Sequence, residues 1–115
     1  MGKIIKQTYG KMIAAFCKAT RENYTDWRTQ FLDWPGLIVV GESEHKHPGK
    51  KFVYLYPNDP ENLSQPYFHT SVGDIVMDLR YICIETENSK YIFEIGDFGI
   101  SEEEKTLLQL NVFFS

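Results

Sequence analysis

A change of hydrophobic period at Pro35-Gly36 constrains this chain more than any other feature. Before it, apolar residues recur three and four apart. After it, they gather in short runs rich in β-branched and aromatic residues, each closed by a turn signal. A helical period followed by a strand period implies segregated helices and hairpins rather than alternating βαβ units.

The first part predicts two helices. Over residues 3–20, Ile5, Tyr9, Met12, Ile13, Phe16 and Ala19 form one stripe, with lysines between them. Gly10 interrupts that stripe at about 1 kcal/mol relative to Ala. Over residues 25–34, Thr25 is a suitable N-cap and Asp26 suits the first turn. Trp27, Phe31 and Trp34 share a face with Tyr24 just before it, a spacing that favours core packing over an exposed aromatic patch.

The second part predicts strands. Leu37-Ile38-Val39-Val40 and Phe52-Val53-Tyr54-Leu55-Tyr56 flank His47-Pro48-Gly49-Lys50, an antiparallel hairpin signature. Residues 57–66 hold Pro57, Pro60 and Pro66 and read as a loop. A short strand is expected within 67–72. Tyr81-Ile82-Cys83-Ile84 is apolar on both faces and reads as a central strand, returning through Glu87–Lys90 into Tyr91–Ile95. Ser101 with Glu104 is a capping box, and Glu102 and Glu103 complement the helix dipole. The apolar tail 110–114 either completes that helix or adds a strand. The expected fold is α+β: a mainly antiparallel sheet of four to five strands built from hairpins, with two N-terminal helices and one C-terminal helix packed on one face.

At 115 residues the chain has the size of one domain, 1–115. It has no apolar run of membrane-spanning length and no export-type N-terminus, so a cytoplasmic protein is expected. Cys17 and Cys83 are accordingly expected to be reduced core residues.

Candidate chemistry is sparse. His45 and His47 would share a strand face and could meet one metal, but a charged, exposed hairpin is the simpler reading. Lys46, His47, Lys50 and Lys51 make a small basic tip, which without an aromatic-basic motif argues against nucleic acid. Asp97-Phe98-Gly99 has the letters of a kinase triplet, but no glycine-rich or catalytic loop accompanies it. His69 and Ser71 share a strand face without an orienting acid, and Asp74 with Asp78 is an ordinary surface pair. No cofactor and no metal is therefore expected, and catalysis is disfavoured.

Charge is unevenly spread along a chain of net charge −4. Lys3, Lys6, Lys11, Lys18, Arg21 and Arg28 make the start basic, whereas Glu85, Glu87, Asp97, Glu102, Glu103 and Glu104 make the end acidic. A compact acidic body without catalytic groups acts by contact. The favoured expectation is a small protein-binding module of inhibitor or immunity type. Those six acids would meet a larger basic protein, of toxin or nuclease kind. The alternative is a small enzyme or ligand-binding domain with a pocket between sheet and helices lined by Tyr54, Tyr56, Tyr67 and His69. A third reading is a homodimer pairing edge strands or the apolar tail.

Overall fold

The opening segment is a strand. The computed structural model describes residues 2–44, 47–59, 61 and 66–114. In it Gly2–Cys17 forms β1, sixteen residues long. A bulge explains why its sequence imitates a helix. Inserting one residue into a strand turns an i, i+2 alternation into an i, i+3 step. The register of β1 shifts between Ile4 and Lys6 and again between Met12 and Ala14. Across the second shift Met12 and Ala15 both face the core, three residues apart. Tyr9 and Met12, neighbours on the supposed helical stripe, pack into different clusters on opposite faces of the sheet.

The second expected helix shrinks to a 3-10 turn, Trp27–Phe31, capped by Asp26 rather than Thr25. The sheet takes the backbone groups that a longer helix would need. Leu32 bridges to Met12, and Asp33 N–H donates to Met12 C=O at 2.8 Å. Phe31 is buried, while Trp27 is 55% exposed.

The expected hairpin is present as β2 (Gly36–Ser43) and β3 (Lys51–Pro57), paired antiparallel. Then come β4 (Phe68–His69), β5 (Asp74–Met77), β6 (Tyr81–Glu85) and β7 (Ser89–Ile95). The chain closes with helix α1 (Glu102–Phe114), so the tail completes the helix. The expectation of four to five strands with three helices is therefore corrected: among the described residues one seven-stranded sheet carries a single C-terminal helix and one 3-10 turn. Residues 45, 46, 60 and 62–65 lie outside the described residues. They include His45 of the metal candidate and half of the expected proline loop.

The strand order is β4-β3-β2-β1-β7-β6-β5, with antiparallel neighbours throughout. β1 is long enough to pair with β2 along its first half and β7 along its second. The sheet rolls up, because Gly73, at the start of β5, bonds back to Lys51 on β3. Lys51 N–H donates to Gly73 C=O at 2.9 Å and Gly73 N–H to Lys51 C=O at 2.8 Å.

Rolling gives an inner and an outer face. Inside are Met12, Ala15, Phe31, Ile38, Val40, Val53, Leu55, Phe68, Ile82, Ile84, Tyr91 and Phe93. Outside, α1 covers β2 and β3: Leu108 and Ile100 bury Leu37, Val39 and Tyr56. Hence Leu37 to Val40 is apolar at every position, with one side chain set toward the core and the other under the helix. Cys17 and Cys83 are both free and half-buried, and neither belongs to the inner core. Cys83 is turned outward because its neighbours Ile82 and Ile84 fill the inner face.

Candidate functional site

Four connections converge at the end of the rolled sheet where Lys51 meets Gly73. They enclose a cavity of about 830 Å³, within the usual range for small-molecule sites. Its lining includes Lys18, Tyr24, Arg28, Lys50, Asp74, Glu85, Thr86, Ser89 and Tyr91.

Local bonds place each wall. After β1 the chain turns tightly: Cys17 N–H donates to Glu22 C=O at 3.0 Å and Arg21 N–H to Cys17 C=O at 2.8 Å. Tyr24 N–H then returns to Ala15 C=O, and the Tyr24 hydroxyl shares a 2.6 Å hydrogen bond with that of Ser89. Ser89 N–H donates to the Thr86 hydroxyl oxygen at 3.1 Å, which shapes the β6–β7 turn. Lys18 reaches across to it, donating from Nζ to Thr86 C=O at 3.0 Å and lying 3.6 Å from Glu85. On the opposite rim Lys50 pairs with Asp74 at 2.9 Å. That hydrogen bond and charge hold the Asp74 carboxyl below the usual aspartate range.

Arg28 supplies the fixed cation. Asp26 accepts from its backbone N–H at 3.0 Å and from one Nη at 2.7 Å. The guanidinium centre lies 3.8 Å from the Tyr24 ring centroid and 5.4 Å from that of Trp27. Its Nε is shielded from solvent and meets no acceptor among the described residues. A buried donor without a partner costs free energy and calls for an explanation. The hydroxyls of Ser89 and Thr86 are engaged with Tyr24 and with the turn backbone, so what the mouth offers is recognition by charge and hydrogen bonding.

The expected aromatic residues also come together, but on the outer face. Tyr54 stacks on Tyr67 at 5.6 Å and on His69 at 5.4 Å, and Tyr56 stacks on Tyr67 at 5.3 Å. Tyr54 and Tyr56, with Phe52, Val39 and Val112, line a shallower groove of about 460 Å³ between the sheet and the end of α1. Tyr67 and His69 continue the stack along β4.

The six acids are separated. Glu85 ends β6 and Glu87 lies in the turn that leads into β7, whereas Asp97, Glu102, Glu103 and Glu104 follow the far end of β7. Glu85 lies 3.6 Å from both Lys18 and Lys90. Lys105 lies 3.0 Å from Asp97 and 3.2 Å from Glu102, and these carboxylates raise the Lys105 pKa above the ordinary lysine value. Glu104 accepts from Ser101 N–H at 2.8 Å, which depresses its pKa. Among the described residues no group of three or more His, Cys, Asp or Glu side chains is arranged to hold a metal ion. No described helix is long and apolar enough to cross a membrane.

No family model matches the chain, and neither a curated protein nor a solved structure matches it significantly.

Tyr24 was legible only as part of an aromatic face read as core packing, and Arg28 only as one of the basic residues of the start. Lys50 and Asp74 were visible only as parts of a basic tip and a surface acid pair.

Proposed function

We propose that the protein is a small-ligand-binding domain whose mouth takes a polar molecule bearing an acidic group. One observation carries this: an Arg28 side chain clamped by Asp26 and stacked on Tyr24 in the wall of a concave polar cavity. An arginine held in this way loses little further freedom on binding, and its planar fork matches carboxylate or phosphate oxygens. Lys18 and Lys50 add positive charge around it. Asp74 and Glu85 keep those lysines in place and offer acceptors to ligand hydroxyl or amino groups.

The contact-module reading draws on negative charge gathered on one surface. The division of the acids between the two ends of β7, with Lys18, Lys90 and Lys105 beside three of them, makes the mouth the better-supported site.

An NMR titration of the labelled chain with a panel of small carboxylates and phosphomonoesters tests the proposal. Saturable shifts are expected at the amides of Lys18, Tyr24, Arg28, Asp74 and Ser89, and they should weaken at least about tenfold in Arg28→Gln. Shifts spread over the surface without saturation, or unchanged in that variant, would remove the proposal.

A further inference from the structure

The outer face of the sheet has a second half, over β5, β6, β7 and the later part of β1, against which α1 does not pack. Its side chains can be placed from the register. Ile82, Ile84, Tyr91, Phe93, Met12 and Ala15 point inward, so the alternate positions point outward. Three rows run across the four strands. The middle row is Val76, Cys83, Ile92 and Ala14. One flanking row is Asp74, Glu85, Lys90 and Phe16, and the other ends in Tyr81, Glu94 and Lys11. An apolar stripe thus lies between two charged rows. Val76 is 76% exposed and the bulged Ile13 beside Ala14 is 37% exposed.

We infer that this face is the dimer interface of the protein, and that its occupant is a second copy of the chain packed sheet on sheet. The argument is self-complementarity. Two sheets meeting face to face pack with strands roughly aligned at about 10 Å separation, and a two-fold axis then lies in the plane between them. If the axis runs along the strands between β6 and β7, each row faces itself in reversed strand order. Glu85 then opposes Lys90 of the second copy, Cys83 opposes Ile92, and Val76 opposes Ala14. If it runs across the strands, the middle row still meets itself and Lys90 opposes Glu94 of the second copy. In both arrangements the middle row meets apolar side chains. Each arrangement adds one acid–base pair, Glu85 with Lys90 in the first and Lys90 with Glu94 in the second; Asp74 in the first faces Phe16. Asp74 and Glu85 belong both to this flanking row and to the rim of the ligand mouth, but the middle row that carries the inference lines no part of that mouth.

Sedimentation equilibrium of the full chain, up to about 100 µM, tests it. A monomer–dimer equilibrium is expected, and Ile92→Lys should raise its dissociation constant at least about tenfold. Ile92 points out of the fold, so the variant should keep its circular dichroism and thermal transition. Lys90→Glu should also weaken association, and adding either Glu85→Lys or Glu94→Lys should restore it, which identifies the axis. A chain that stays monomeric throughout, or a dimer unmoved by Ile92→Lys, overturns the inference. So does a dimer weakened by Lys90→Glu that neither second change restores. A folded Val76→Lys variant gives an independent reading on the same row, and undiminished association in it counts equally against the proposal.

Discussion

The two halves of the outer face carry the same backbone architecture and opposite side-chain logic. Over β2 and β3, every residue from Leu37 to Val40 is apolar, because the outward positions go under α1. Over β6 and β7, only the inward positions are uniformly apolar, and Glu85, Lys90 and Glu94 alternate with them. The covered half is apolar at every outward position under the helix, whereas on the bare half the outward apolar residues Cys83 and Ile92 are bracketed by Glu85, Lys90 and Glu94.

Substitutions at matched positions can break or sharpen that contrast. Leu108→Ala removes the main helical side chain from the covered half and should cost about 2–4 kcal/mol in chemical denaturation. A cost near zero would mean that α1 does not hold that half together. Gly41→Ala should cost about 1–3 kcal/mol, because the ring of Phe52 lies directly over Gly41 where a Cβ would stand. Its far end approaches Gly2 as well, so the ring substitutes for two absent side chains. Ser101→Ala should remove about 1 kcal/mol of helix anchorage. On the bare half, Val76→Ala at sub-micromolar concentration should stay within about 0.5 kcal/mol of the parent.

The cap also predicts a pH dependence. The folded-state pKa of Glu104 is depressed, chiefly by Ser101 N–H. Its contribution is therefore complete above the ordinary glutamate pKa and disappears as pH falls through the lower folded value. Thermal unfolding of the parent and Glu104→Gln should differ at neutral pH and converge in strong acid. A gap that persists at the acid end would assign the effect to packing rather than charge.

The thiols give the mildest test. Hydrogen bonds from Thr20, its backbone N–H first, lower the Cys17 pKa, whereas burial raises that of Cys83. Mass spectrometry of a brief alkylation near neutral pH should find Cys17 labelled first.

What could be read from the residues follows the same physical lines. The β2–β3 hairpin was legible because Pro48-Gly49 separates two runs whose pattern no helix would produce. The cap at Ser101 was legible because it is a local hydrogen-bond exchange, and both its bonds are present. β1 was misread because its bulges convert alternation into helical spacing, and those bulges are fixed by partners far away in sequence. β5 was missed because four residues that begin with Asp74 and run into Asp78 carry too little pattern to stand out. For the candidate site, stacking among Tyr54, Tyr56, Tyr67 and His69 was foreseeable from alternation on neighbouring strands. The mouth was not, since its walls come from four connections that only the rolled sheet brings together.

The length of β1 also has a consequence in time. Gly10 pairs with Gly36 on one side and with Ile95 on the other, so the first strand synthesised must await nearly the last. Such pairing requires closing most of the chain before any reward, which places folding in the slow range of about milliseconds to seconds. A nascent chain paused after β3 would expose the later part of β1 as an unmatched edge, and that interval is when the protein is most open to chaperones and to misassembly.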